Sequence, residues 1–418
     1  MKSGTILVNN ITMRPTLLFR LSTRLLFSFG IGLASSAQPA QTKSLVEGDT
    51  AFALNLYARL SGTPGNLFFS PYSISTCLAM TSAGARGDTE TQMGQVLHFS
   101  KDQRQVHSSF GELQRQLNDA QKQKGIQLDI ANALWAQKGE PFLPVFLNIA
   151  KNDYQANVNQ ADFKTSAETV RREINRWVAQ KTKDKIQDIL SPGSVDNSTR
   201  LVLANAIYFK GAWASPFEKA ATATQPFHIS TSSQTDTPLM LRFVDVKYTG
   251  NNEFQAVELR YSGDELSLVI LLPRQTDGVG QLERQLSPAF LAQALVQMKK
   301  QKVEIFLPRF KMGSRYLLND ALAKMGMPDA FEPKADFSGL NGTRGFYISD
   351  VIHKAWVEVT EEGSEAAAAT VVAMVGSAAP AASPPPPVFR ADHPFVFLIR
   401  DTRSDSLLFI GRLADPRV

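Results

Sequence analysis

The motifs that mark common hydrolases and nucleotide-binding enzymes are missing from this chain: it has no GxSxG elbow, no HExxH pair and no GxxxxGK[ST] loop. Its five histidines, His98, His107, His228, His353 and His393, show no metal-ligand spacing. The single cysteine, Cys77, lies in an apolar run, cannot form an internal disulfide, and reads as a buried inert thiol. No catalytic residue, metal or cofactor is therefore expected. The stretch with chemistry to offer is a peptide that could be acted upon, EEGSEAAAATVV at residues 361–372.

This stretch follows AWVEVT (355–360), whose period of two reads as a strand, and it precedes Pro380 and four consecutive prolines, Pro384 to Pro387. Its Gly, Ser, Ala and Thr side chains are small enough for a strand that must slide between strands already packed. In a buried strand Glu365 would have to face water, because an unpaired buried carboxylate is too costly. Alternation then turns Ser364, Ala366, Ala368, Thr370 and Val372 inward. The prolines lack the N–H of a central strand, so such an addition could run from about Ser364 to Ala379. Composition by itself favours a flexible Ala-rich surface linker, and the rest of the chain shifts that balance.

The elements around this stretch have a mixed pattern. Helical spacing marks residues 46–60, 70–85, 106–123, 168–189 and 316–325. Residues 126–130 and 303–307 alternate as strands, and 254–260 with 266–272 flank Ser262, Gly263 and Asp264 as a hairpin. Residues 201–209 are almost continuously apolar, as in a strand buried on both faces. Residues 395–399 and 407–410 are two apolar strands joined by a polar turn. Helices dominate the first half and strands the second, which is α+β organisation in one interlocked domain.

Several blocks carry a family likeness. EEGSEAAAAT (361–370) followed by VFRADHPFVFLIRDTRSDSLLFIGRLADP (388–416) closely resembles the C-terminal signature of the serpins. NLFFSPYSISTCLAM (66–80), GARGDTETQM (84–93), IANALWAQ (130–137), LANAIYFKGAWASPF (203–217) and ADFSGL (335–340) extend the resemblance, in order, across residues 45–417. It implies a single α+β domain with about three β-sheets, about nine helices and an exposed reactive-centre loop at about 361–388. The implied function is irreversible, suicide-substrate inhibition of serine endopeptidases: the cleaved loop becomes a new strand of the central sheet and traps the acyl-enzyme. The resemblance points to an inhibitory, secreted, prokaryotic member acting as a monomer, with no cofactor and no nucleic-acid or membrane partner.

Residue by residue, the family pattern assigns the hinge to Glu361, Glu362, Gly363, Ser364, Glu365, Ala366, Ala367, Ala368, Ala369 and Thr370. Non-inhibitory members often carry a charge, a proline or a bulky residue there, so a substrate, ligand-carrying or chaperone-like relative is the competing class. Counting from the hinge puts the reactive bond between Ser377 and Ala378, with Met374, Val375 and Gly376 as alternatives. Counting back from FRADHPF gives a position near Ser383, where a bond into Pro384 would resist cleavage. No Arg or Lys surrounds the bond, which favours an elastase-like or subtilisin-like target over a trypsin-like one. Ser70, Ser73, Asn205 and His353 match a polar cluster beneath the gap that receives the loop. Trp213 matches the tryptophan at the top of the sheet, and Arg309 is a candidate ion-pair partner for Glu361.

The N-terminus reads separately. Residues 1–37 hold Lys2, Arg14, Arg20 and Arg24 without an acid, then an apolar core at 25–33 and small residues up to Ala37. That is the form of a secretory signal peptide, with 38–44 as a linker, 45–418 as the domain and Met13 as an alternative start. Without those four cations 40 basic residues face 39 acidic ones, a net charge of +1, so the basic pI is no argument for nucleic acid. Lys181, Lys183, Lys185, Arg115, Lys122 and Lys124 are interleaved with acids and read as a solvated surface rather than a polyanion site. Asn197 and Asn341 begin N-x-[ST] sequons.

Overall fold

Helix α2 (Pro71–Ser82) shows how the local sequence dictates the fold. Ser70 caps it by accepting from the Ser73 N–H at 3.1 Å, Pro71 supplies the first helical position, and every residue of the helix is buried. Burying PYSISTCLAMTS is tolerable because Ser75, Thr76, Thr81 and Ser82 return their hydroxyls to carbonyls three or four residues back. Asp102, Asp162 and Ser287 cap later helices through their side chains.

A computed structural model describes residue 1 and residues 40–139, 141–363 and 385–417. Before and after α2 the first half runs α1 (Ala40–Leu60), β1 (Leu67–Phe69), α3 (Gly87–Val96), α4 (Gln103–Ala120), β2 (Ile126–Gln137), α5 (Pro144–Asn152), β3 (Asn157–Ala161), α6 (Phe163–Lys181) and β4 (Leu201–Gly211). Then come β5 (Ala223–Ser230), β6 (Ser233–Gly250), β7 (Phe254–Arg260), β8 (Leu266–Pro273), α7 (Val279–Gln285), α8 (Pro288–Gln297), β9 (Lys299–Pro308) and β10 (Phe310–Leu317). The chain continues through α9 (Asn319–Met325), α10 (Ser338–Asn341), β11 (Asp350–Val359), β12 (Val388–Arg390), β13 (Phe395–Asp401) and β14 (Leu407–Leu413).

Five strands form one sheet in the order β10-β11-β4-β2-β3. A nine-stranded sheet runs β1-β14-β13-β8-β7-β6-β9-β12, with β5 attached to β6. About three sheets were expected, and the described residues form two. The reason is β6: over 18 residues it pairs in turn with β5, β9 and β7, so one continuous strand joins what would otherwise be separate sheets.

Other elements differ from expectation. Among the described residues there are ten α-helices against about nine expected. Residues 40–44, read as linker, are the first turn of α1. The segment 316–325 divides, Tyr316 and Leu317 ending β10 before α9 begins at Asn319. Helix α6 stops at Lys181 rather than near 189, and Lys183, Asp184 and Asp188 beyond it take positive φ.

The five-stranded sheet is covered on both faces. Val202, Ala204, Ala206 and Tyr208 of β4 pack under α6 against Phe163, Val170, Ile174 and Val178. The alternate residues face the opposite way, Leu201 and Leu203 into one apolar cluster and Ile207 and Phe209 into another. Asn205 is fully buried between those two pairs.

Candidate functional site

Two features of the five-stranded sheet stand out. First, β11 and β4 run parallel, in register from Asp350 opposite Val202 to Val357 opposite Phe209. Second, the chain turns back immediately beyond β11. Thr360 and Gly363 exchange both backbone hydrogen bonds at 3.1 Å, with Glu361 and Glu362 at the tip. Gly363 also forms an antiparallel bridge with Ala212, the residue after β4. It thus lies antiparallel to both neighbours, at the point where a strand between β11 and β4 would begin.

Only glycine suits that point. Its φ is +90°, and an added Cβ would lie 2.2 Å from the Gly211 carbonyl oxygen and 2.5 Å from the Trp213 nitrogen.

Trp213 anchors the turn. Its indole N–H donates to the Thr360 carbonyl at 2.9 Å and its backbone N–H to the Glu362 carbonyl at 3.1 Å. The ring stacks on Tyr261 with centroids 4.6 Å apart. Glu361 is 5% exposed, so its pair with Arg309 has a buried carboxylate. Its carboxylate accepts from the Thr222 hydroxyl at 2.8 Å and lies 3.5 Å from the half-exposed Arg309 Nε. Glu362 is held by Lys219 at 2.5 Å.

Lower in the sheet, Ser70, Ser73, Asn205 and His353 come together. His353 faces Asn205 across β11 and β4, and Asn132 faces Asn205 across β2 and β4. The Ser70 N–H donates to His353 Nε2 at 3.0 Å, so the neutral ring carries its proton on Nδ1 and donates to Asn205 Oδ1. The Asn205 amide donates to the Ser73 carbonyl at 2.7 Å, to the Ser73 hydroxyl at 2.6 Å and to Asn132 Oδ1. Ser70 in turn donates to the Leu408 carbonyl at 2.6 Å. Complete burial pulls the His353 pKa down to about 3.

Reading the sequence missed Asn132, although a signal was present. The triplet Ala-Asn-Ala occurs twice, at 131–133 and 204–206, and the two copies pair antiparallel, residue against residue. Thr222 and Lys219, which hold the two glutamates of the turn, carry no such signal. Ser364, Glu365, Ala366, Ala367, Ala368, Ala369, Thr370, Met374, Val375, Gly376, Ser377 and Ala378 lie outside the described residues, as does nearly all of the N-terminal segment read as a signal peptide.

The remaining candidates are ordinary. Cys77 is buried, and its thiol is pushed up to about 12. Among the described residues no group of His, Cys, Asp or Glu side chains could hold a metal ion, and no helix is long and apolar enough to cross a membrane. Arg115, Lys122 and Lys183 sit within 2.9 Å of Glu112, Asp119 and Asp129, which offsets much of the charge a polyanion would need.

The family model described as "Serpin (serine protease inhibitor)" matches residues 47–416. The leukocyte elastase inhibitor of Xenopus tropicalis is 40% identical over 378 residues, covering 88% of this chain and 98% of the relative. Uncleaved ovalbumin superposes with a TM-score of 0.80 at 30% identity, covering 89% of this chain and all of that one. Human thyroxine-binding globulin, complexed with its ligand, gives 0.80 at 30% identity, with 90% and 100% covered. A frog and a human protein lend no support to the prokaryotic source expected from the sequence.

The turn and the buried histidine can each be tested. Gly363→Ala should lower the denaturant midpoint of the intact protein by a strain of about 1–3 kcal/mol; an unchanged midpoint would contradict the turn described here. His353 has a folded pKa below the ordinary 6.5, so between those values the unfolded chain binds the extra proton. Stability present above pH 6.5 should fall as pH drops toward 3, by about 1.4 kcal/mol per unit from this group. The buried His107, pulled to about 4, pushes the same way. The difference between wild type and His353→Gln in melting temperature against pH isolates His353, and parallel curves would sink the assignment.

Proposed function

This chain belongs to the serpin family of serine protease inhibitors, and we propose that it acts irreversibly, its cleaved loop entering the five-stranded sheet between β11 and β4. The observation that carries this reading is Gly363, bridged to Thr360 on one side and Ala212 on the other. A chain continuing from it would replace one parallel ladder by two antiparallel ones, whose hydrogen bonds are better aligned. Each new bond contributes about 0.5–1.5 kcal/mol net, enough over a whole strand to drive the change.

The existing pairing supports one register for such an insertion. Ser364 would stand against Gly211 and Val359, Ala366 against Phe209, Ala368 against Ile207, and Thr370 between Asn205 and His353. All of these would share the buried face. Glu365 would fall beside the partly exposed Lys210, on the other face. The strand would draw level with Leu201 at Met374, which supports a reactive bond just beyond, between Ser377 and Ala378. From Gly363 to Ser377, at about 3.3 Å per residue, the tethered protease would travel roughly 46 Å.

The small residues Val375, Gly376, Ser377 and Ala378 support an elastase-like or subtilisin-like target, in keeping with the relative's name as an elastase inhibitor. The cluster of Ser70, Ser73, Asn205 and His353 would be the lock that must part as β11 and β4 separate. Trp213 and Arg309 would fix the turn from which insertion starts. The inhibitor would act as a monomer. Secretion is part of the proposal too, on the strength of the cationic, then apolar, then small-residue order of residues 1–37.

A second reading has its own observation. The likeness to a thyroxine-binding globulin means that the fold alone does not make an inhibitor. The small, uncharged hinge residues that parity would turn inward support inhibition. Incubation with elastase-like and subtilisin-like proteases, followed by denaturing electrophoresis, separates the two: a complex stable in SDS is expected, and cleavage without complex would leave a mere substrate. The mass of the released C-terminal fragment reads out the bond.

Ser364→Arg should convert inhibitor into substrate. Opposite Gly211 the inward space is filled, since a Cβ there would meet the Tyr261 ring at 2.7 Å. Persistent inhibition by the variant would show that Ser364 does not turn inward.

A further inference from the structure

A cavity beside the turn is lined by a charge with no hydrogen bond or ion pair among the described residues. Strand β9 follows β6 from Tyr248 to Leu239, but β7 pairs with it only over Lys247 to Gly250, so β6 and β7 part in a fork. Together with residues 213–217, the fork lines a cavity of about 460 Å³. Its apolar wall is Trp213, Phe217, Val244 and Leu259, and Arg242, Lys247, Arg260 and Lys300 also line it.

The acids of this cavity are already engaged or peripheral. Glu258 is 2% exposed and is met by Lys247 at 3.3 Å, Arg260 at 3.6 Å, Arg400 at 3.4 Å and the Ser267 hydroxyl at 2.8 Å. Asp245 and Asp264 are exposed. Arg242 is different. It shares its face of β6 with Val244 and Val246, is partly buried, and makes no hydrogen bond or ion pair among the described residues. Burial lowers its pKa to about 10, with the charge of Glu218 acting the other way, and it stays charged at neutral pH. Lys300 adds a second cation without an ion pair among the described residues: it stands directly opposite Lys247 across β6 and β9, an arrangement that repels in a sheet.

We propose that the fork is a binding site for a small amphipathic anion, with its carboxylate or sulfonate on the Arg242 guanidinium and its apolar body against Trp213, Phe217, Val244 and Leu259. The volume falls in the range of small-molecule sites, and a partly desolvated guanidinium gains most from a charged acceptor. Arg242 supplies orientation and the aromatic wall supplies area. Lys300 assists from the strand alongside.

The test uses the intact protein without any protease, so it stands or falls independently of the inhibitory reading. 8-Anilinonaphthalene-1-sulfonate is bound and followed by fluorescence, then displaced with octanoate or with octanol, its uncharged counterpart. Octanoate is expected to displace the probe at concentrations where octanol does not. Arg242→Ala should weaken octanoate about tenfold or more, with Arg242→Lys recovering part of the loss. Equal action of the two ligands, or no displacement by either, overturns the site. So does unchanged octanoate affinity in Arg242→Ala. Should that variant fail to fold, Lys300→Gln, at an exposed position, is the second: a several-fold loss supports the site, and wild-type affinity overturns it.

Discussion

The structure depends on one contact, the parallel ladder between β4 and β11. It is complete, with eight residues on each strand in unbroken register. Under the proposed mechanism it would also be interruptible, since both strands present the same end to a turn that has reversed the chain at Gly363. In most sheets neighbouring central strands are joined for good by what covers them. Here the cover on one side is α6, lying across β2 and β4 as a separate layer, and on the other side is a core split in two.

That split explains the polar row. On the face turned toward α2, Leu201 and Leu203 of β4, Val351 of β11 and Leu134 of β2 belong to one apolar cluster. Ile207 and Phe209, Ala355 and Val357, and Leu128 belong to the other. Between them stand Asn205, His353 and Asn132, side by side on three adjacent strands. An apolar row would bind the sheet by area alone and would resist parting in proportion to that area. A row of hydrogen bonds also holds while every group is satisfied, yet its partners can be exchanged for others of the same kind. The neutral ring of His353, accepting from Ser70 and donating to Asn205, suits such an exchange, since it carries one donor and one acceptor.

Much of this was legible in the sequence where a single local rule decides the outcome. Residues 201–209 had to be a doubly buried strand, and Ser70 followed by Pro71 had to open a helix. Less legible were elements whose pattern depends on what covers them. Strand β6 is missed because most of it is only partly covered and carries Thr, Asp, Pro and Arg, so neither alternation nor an apolar run betrays it. The burial of Glu361 could not be foreseen either, for it arises from Thr222 and Phe217 closing over the turn from a distant loop. Gly363 was assigned by family pattern alone; the close approach of the Gly211 carbonyl supplies the physical reason.

The top of the sheet must reconcile two demands. The turn has to be firm enough to hold Gly363 between Thr360 and Ala212 and, under the proposed mechanism, would still have to let the following residues change partners. Trp213 answers the first by bonding to backbone carbonyls on both sides of the turn's leading edge, at Thr360 and Glu362. Such bonds fix where the chain reverses through its backbone. Glu361 and Glu362 bear on the second: their charges are offset by Arg309 and Lys219, outside the ladder between β4 and β11.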